Sequence, residues 1–201
     1  LPGLRRGLSA GLLDTYRTHL RFREDPDGLL PEEYDHLEEL YWESVGYLDD
    51  QIESIFDIDP AASTVLVGDH GEEFDHDKYG HARLYEECIR VPLLSSPDLA
   101  PHLGSGDTVR QVDVPAGILD AVRADVPDSW VVDGPPDGDT WPAFALNHSP
   151  QFERVYAAIR TERYKLIQTF DESVDEPLRT EAYDLAEDPH EQDDRYPDLP
   201  E

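Results

Sequence analysis

Between Val67 and Leu94 the chain reads VGDHGEEFDHDKYGHARLYEECIRVPLL, and its densest set of reactive side chains lies there. Residues 69–81 hold three histidines (70, 76 and 81) and five acids (69, 72, 73, 75 and 77). Asp69 offers a hard oxygen and His70 a nitrogen, a donor pair suited to a divalent cation. Adjacent residues can both reach one ion where the backbone bends sharply, and Gly68 and Gly71 permit that bend. Composition alone leaves a second reading open, in which Asp69 caps a turn and the acids form one more solvated face. Cys88 is the single cysteine, so a disulfide scaffold is excluded. Its setting predicts a small buried thiol.

The elements that must position these residues can be read on either side. Residues 63–67 (STVLV) form a short β-branched run between a helical segment and Gly68. The pattern predicts a buried parallel strand of an α/β sheet, with Asp69 and His70 at its carboxyl end, where ligands bind in open α/β sheets. Before it, Pro31 to Phe56 reads as a long helix. Pro31 suits the first turn, Glu32 and Glu33 favour the positive end of the dipole, and Leu37, Leu40, Tyr41, Val45, Leu48, Ile52 and Ile55 share one face. A looser amphipathic helix is expected over 8–23, broken by EDPDGLLP at 24–31. Beyond the reactive segment, 91–95 reads as a second strand and 112–123 as a helix, with a surface loop over 125–142. Strands are expected at 144–146, 155–160 and 164–170, the last two forming a hairpin that turns at Thr161–Arg163. The acidic tail from Asp184 is expected to wrap the surface with little core.

Composition sets the outer bounds. The chain has 201 residues, with 46 acidic against 16 basic side chains, a formal net charge of −30. Phosphate contacts need clustered Lys and Arg, so nucleic acid is not an expected partner. No stretch approaches about 20 apolar residues, so no membrane span is expected. Lysine occurs at 78 and 165 alone, and arginine supplies the other bases. Self-repulsion at this charge opposes a compact state, and concentrated salt screens it, with a Debye length of about 3 Å at 1 M. A salt-adapted, halophilic protein is the expectation. The presence of a single cysteine points to a cytoplasmic location. The chain starts at Leu1 and contains no methionine, and it is expected to be a fragment.

Five ordered segments carry a resemblance. Gly68-Asp69-His70-Gly71-Glu72, Gly80-His81, Tyr85-Glu86 and Ile89-Arg90-Val91-Pro92-Leu93 resemble the C-terminal half of sulfatases, of the alkaline-phosphatase-like superfamily. Tyr41–Ile55 is similar to the helix before the metal-binding strand of that family. Val109–Val122 resembles its VD(V/L)xPTILD segment. Ala158–Ile167 and Tyr183–Glu191 resemble its C-terminal sheet. The resemblance spans about residues 34 to 196.

It implies an α/β fold: the C-terminal part of an alkaline-phosphatase-like sandwich with a small C-terminal antiparallel sheet. Residues 1–142 would be the C-terminal part of the catalytic domain, its N-terminal part missing. Residues 143–201 would form the antiparallel subdomain and acidic tail. Asp69 and His70 resemble metal ligands. Calcium is the family default, and a histidine nitrogen leans toward manganese or zinc. His81 stands where the family places a basic residue against the substrate anion and leaving group, a catalytic and substrate-binding role. His76 is a further substrate-binding candidate, in a loop about one residue shorter than the commoner spacing. Glu72 and Glu73 are expected to shape the loop, and Tyr85, Glu86 and Arg90 to be structural, with Arg90 pairing an acid.

The family's nucleophile motif, Cys/Ser-x-Pro-x-Arg, does not occur in these residues; Cys88 sits in Cys-Ile-Arg-Val-Pro. Nor is the family's first Asp-Asp metal pair identifiable, because Asp49-Asp50 falls inside the long helix. The implied function is hydrolysis of a sulfate ester, on a small molecule or glycan, completed by the missing N-terminal half of the same enzyme. The alternatives are a phosphodiester or phosphonate monoester hydrolase of the same superfamily and a non-catalytic binding module. Little activity is expected of these residues alone.

Overall fold

A computed structural model describes residues 16–18, 20–21, 28–59, 61–76, 79–104, 108–130 and 142–199. The chain forms two compact units: residues 1–61 with 74–80, and residues 62–73 with 81–201.

The first unit is built on α1 (Pro31–Phe56), 26 residues long as the sequence predicts. Its start is fixed locally. Pro31 has no N–H to leave unpaired, and the Glu33 carboxylate accepts the Leu30 N–H at 2.9 Å. Arg21 donates to the other Glu33 oxygen at 2.5 Å. Of the seven apolar positions expected to share a face, Leu37 is buried, whereas Val45, Leu48 and Ile55 are exposed. Tyr41 lies 5.5 Å from Phe74, and Phe74 lies 5.7 Å from Tyr79, which ties the 74–80 segment to this helix. Of the looser helix expected over 8–23, residues 16–18 and 20–21 are helical. The remainder of that segment, and most of the 125–142 loop, lie outside the described residues.

The second unit carries two sheets. β1 (Val65–Val67) pairs with β2 (Leu93–Ser95), Val65 opposite Ser95 and Val67 opposite Leu93. The pairing is antiparallel, which corrects the expected parallel strand. A parallel strand needs covered faces on both sides of its sheet. Here Val67 is 40 % and Leu94 60 % exposed, so the apolar run signals a half-covered ribbon. Its covered side packs on Leu99, Leu103 and Val114. Val114 opens α3 (Val114–Ala121), shorter than the expected 112–123 because Gln111–Asp113 forms a tighter turn of its own.

The larger sheet has the order β3 (Ala143–Ser149), β4 (Arg154–Arg160), β5 (Tyr164–Phe170), β6 (Arg179–Asp184), all antiparallel. The predicted hairpin is present. Arg160 faces Lys165, and the Thr161 N–H donates to the Tyr164 carbonyl at 2.8 Å. β3 is longer than the sequence suggests. β6 was not expected, because charged residues alternate with small ones along it. Tyr156, Ala158, Ile167 and Tyr183 form the covered face of this sheet, packed with Leu84 and Tyr85. Tyr85 precedes the short helix α2 (Glu86–Ile89).

The tail departs from expectation in one respect. Glu191 is 2 % exposed, and its carboxylate reaches Lys165 Nζ at 2.8 Å and accepts the Glu86 N–H at 2.5 Å. Lys165 also meets Glu86 at 3.2 Å, and Arg160 meets Glu86 at 3.1 Å. The alternation of β5 points Lys165 and Ile167 to the covered side, so the lysine must find acids there. The Arg195 N–H donating to the Ala182 carbonyl, and the Asp194 carboxylate accepting the Ala182 N–H, hold the tail against β6.

Candidate functional site

The chain leaves β1 at Val67 and turns at once. The Gly68 N–H donates to the Pro92 carbonyl at 3.1 Å, and the Gly71 N–H to the Cys88 carbonyl at 2.8 Å. Gly71 is required by space. A Cβ there would lie 2.0 Å from the Glu87 carbonyl oxygen. The loop is therefore pressed against α2 backbone to backbone. A second clamp comes from Gln111, whose side-chain amide donates to the Gly68 carbonyl at 2.6 Å and the Asp69 carbonyl at 3.1 Å. The turn ahead of α3 thus holds the loop that presents Asp69 and His70. No local pattern marks Gln111 for this, since it lies 42 residues from Asp69 in the chain.

On this loop the Asp69 side chain is almost fully exposed. The His70 backbone N–H donates to its Oδ1 at 2.9 Å and holds the carboxyl below the usual range. Asp69 Oδ2 stands 3.9 Å from His70 Nε2. His70 Nδ1 lies 2.9 Å from the Gly71 carbonyl. A carbonyl only accepts, so this contact suits a proton on Nδ1, and Nε2 is the ring nitrogen on the Asp69 side. The Glu72 carboxylate, mostly buried, faces His81 Nδ1 at 3.3 and 3.4 Å. The His70 and His81 rings stack, centroids 4.2 Å apart with 27° between planes. Three side chains of the second unit, His70, Glu72 and His81, thus offer ligand atoms within 4.8 Å of one another.

Glu73 is buried and pairs with Arg83. His76 belongs to the other compact unit, with Phe74 and Tyr79. Glu86 is held by Arg160 and Lys165, and the Arg90 side chain is exposed at the end of α2. Cys88 is buried, and burial pushes its thiol up to about 12, which opposes thiolate formation. The Tyr85 and Tyr183 hydroxyls both donate to Glu181 Oε1, at 2.8 and 2.7 Å. Burial first, then the Glu181 charge, pushes Tyr85 up to about 12. This arrangement is a scaffold beneath the sheet.

Neither a family model nor a curated protein matches the chain. Solved structures do. A protein from Bacteroides thetaiotaomicron VPI-5482, provisionally classed as a sulfatase, superposes with a TM-score of 0.65 at 17 % identity over 87 % of this chain. A 2-O GAG sulfatase superposes with the same TM-score at 16 % identity over 89 % of this chain. The fold is that of part of these two structures. The chain spans 41 % and 42 % of the length of those two structures. That share is consistent with the C-terminal portion of a sulfatase fold.

Proposed function

We propose that this chain contributes the β1-end half of a sulfate-ester hydrolase site, with Asp69 and His70 holding a divalent cation and His81 facing the substrate anion. The observation that carries the reading is the presentation of Asp69 and His70 side by side on a clamped turn in a sulfatase-like fold. Their donor atoms, 3.9 Å apart, fit one shared ion, since two ligands at about 2.1 Å span at most about 4.2 Å. Such a cation would polarise the sulfate oxygens. Calcium is the sulfatase-like choice, and the His70 nitrogen also suits manganese or zinc.

His81 would act through its other ring nitrogen. Glu72 faces Nδ1, which leaves Nε2 as the atom that would meet a sulfate oxygen or the departing alkoxide. Glu72 and Gln111 position these groups. The attacking nucleophile would come from a longer form of the protein, since Cys/Ser-x-Pro-x-Arg does not occur here. The substrate class would be a sulfated small molecule or glycan.

A second reading rests on His70 itself. Histidine at this position also occurs in phosphodiester and phosphonate hydrolases that this segment resembles. Hydrolysis of 4-nitrophenyl sulfate and bis(4-nitrophenyl) phosphate by a longer form of the protein, with calcium or manganese in concentrated KCl, decides between them. Faster sulfate turnover, abolished by Asp69→Ala, is expected. Dominant phosphodiester turnover selects the second reading, and turnover indifferent to Asp69→Ala refutes both.

A further inference from the structure

We propose that His70, Glu72 and His81 form a three-ligand site for a zinc-class divalent cation. This ligand set shares His70 with the Asp69–His70 pair, so the two cations would exclude one another there, and it does not depend on the hydrolase reading. Two imidazoles and one carboxylate are the donors that borderline metals prefer, whereas calcium takes six to eight oxygens.

The spacing supports the assignment. Glu72 and His81 Nδ1 stand 3.3 and 3.4 Å apart. That is long for a charge-assisted hydrogen bond, about 2.7–2.9 Å. It matches the edge of a tetrahedron with 2.0–2.1 Å bonds, about 3.3 Å. His70 has the second contact typical of a ligating histidine, with Nδ1 2.9 Å from a backbone carbonyl and Nε2 3.9 Å from Asp69 Oδ2. Glu72 is mostly buried while both histidines are about half exposed, so the carboxylate is anchored and the remaining coordination positions open to water. The stacked rings would part by small side-chain rotations to close on the ion. The loop that carries His70 and Glu72 is fixed by Gly71 and Gln111 and need not move.

Occupancy would take up His81. If His81 also serves the substrate anion, a zinc-class ion would compete with that anion.

The test is zinc binding to the full chain by isothermal titration calorimetry in 1 M KCl, where nonspecific attraction to the acidic surface is screened within about 3 Å. Cobalt absorption provides a second probe of nitrogen ligation. Glu72→Gln and His81→Ala are each expected to weaken zinc by at least about tenfold, on the scale of lost ligands and their supports. Circular dichroism identifies any variant that has lost its fold, and the conservative Glu72→Gln keeps the side chain's size. Zinc binding within threefold of the parent in both variants overturns the site. So does zinc binding lost in Asp69→Ala but kept in Glu72→Gln. Failure of the hydrolase reading would show instead as ester turnover unaffected by Asp69→Ala.

Discussion

Replacing Gly71 by alanine tests the close approach that fixes the site. The added Cβ would sit 2.0 Å from the Glu87 carbonyl oxygen. Carbon–oxygen contacts settle near 3.3 Å, so backbone must yield by about 1.3 Å. Both neighbours are main chain, and no side-chain rotation relieves the clash. Overpacking of this kind costs about 1–3 kcal/mol, and loss of the Gly71–Cys88 hydrogen bond adds about 1 kcal/mol. Gly71→Ala should therefore destabilise the second unit by about 2–4 kcal/mol. Gly46 provides the control. It lies inside α1, and a Cβ there meets nothing within 4 Å. Gly46→Ala should stabilise the first unit by about 0.5–1 kcal/mol. The assay is urea unfolding in concentrated KCl, followed by circular dichroism and by labelling of the Cys88 thiol, which reports on the second unit directly. Gly71→Ala should also weaken cation binding, because the same shift carries Asp69 and His70. Unfolding of Gly71→Ala at the parent's urea midpoint would refute the close approach.

Four further outcomes are expected. Lys165→Met leaves Glu86 and Glu191 facing each other in the core, and should cost about 3–5 kcal/mol in urea unfolding. The Cys88 thiol, pushed up to about 12 by burial, should resist Ellman's reagent in the native state and react once the chain is unfolded. Arg163 grips Asp184 through two nitrogens and holds that carboxyl below its usual range. A lowered folded value gives stability that is present above the unfolded value near 3.8 and lost as pH falls through the folded one. The stability gap between the parent and Arg163→Ala should therefore be full near neutral pH and close in acid, as measured by unfolding at stepped pH. Finally, the charge of −30 should make stability rise with KCl. Equal stability at low salt would remove the salt-adaptation reading.

Much of the local structure was legible because its causes are local. Pro31, Glu32 and Glu33 mark the start of α1, and the structure begins it at Pro31. The β4–β5 hairpin was legible from alternation on either side of Thr161–Arg163. The strand over 63–67 was located correctly but paired wrongly, since a short apolar run does not encode its neighbour's direction. β6 was missed because the residue that shares the covered face with Tyr183 is a charged one, Glu181, so no apolar alternation marks the strand. The depth of Glu191 was unreadable for a related reason. In an acidic tail nothing distinguishes the one acid that a buried lysine, Lys165, will hold.

The sequence by itself determined the charge, the exclusion of a disulfide framework, the local starts and turns, and the placement of Asp69 and His70 just after an apolar strand. These follow from composition and from neighbours along the chain. Tertiary structure alone decided what stands beside them. His81 comes against His70 and Glu72 from across the 74–80 segment, and Gln111 reaches back 42 residues to clamp the loop. The Tyr85–Glu181–Tyr183 and Lys165–Glu86–Glu191 clusters join residues far apart in the chain. The physical reason is common to these two clusters. A buried polar group must be paired, but its partner is whichever complementary group the packing brings within about 3 Å, and that is set by the assembled fold.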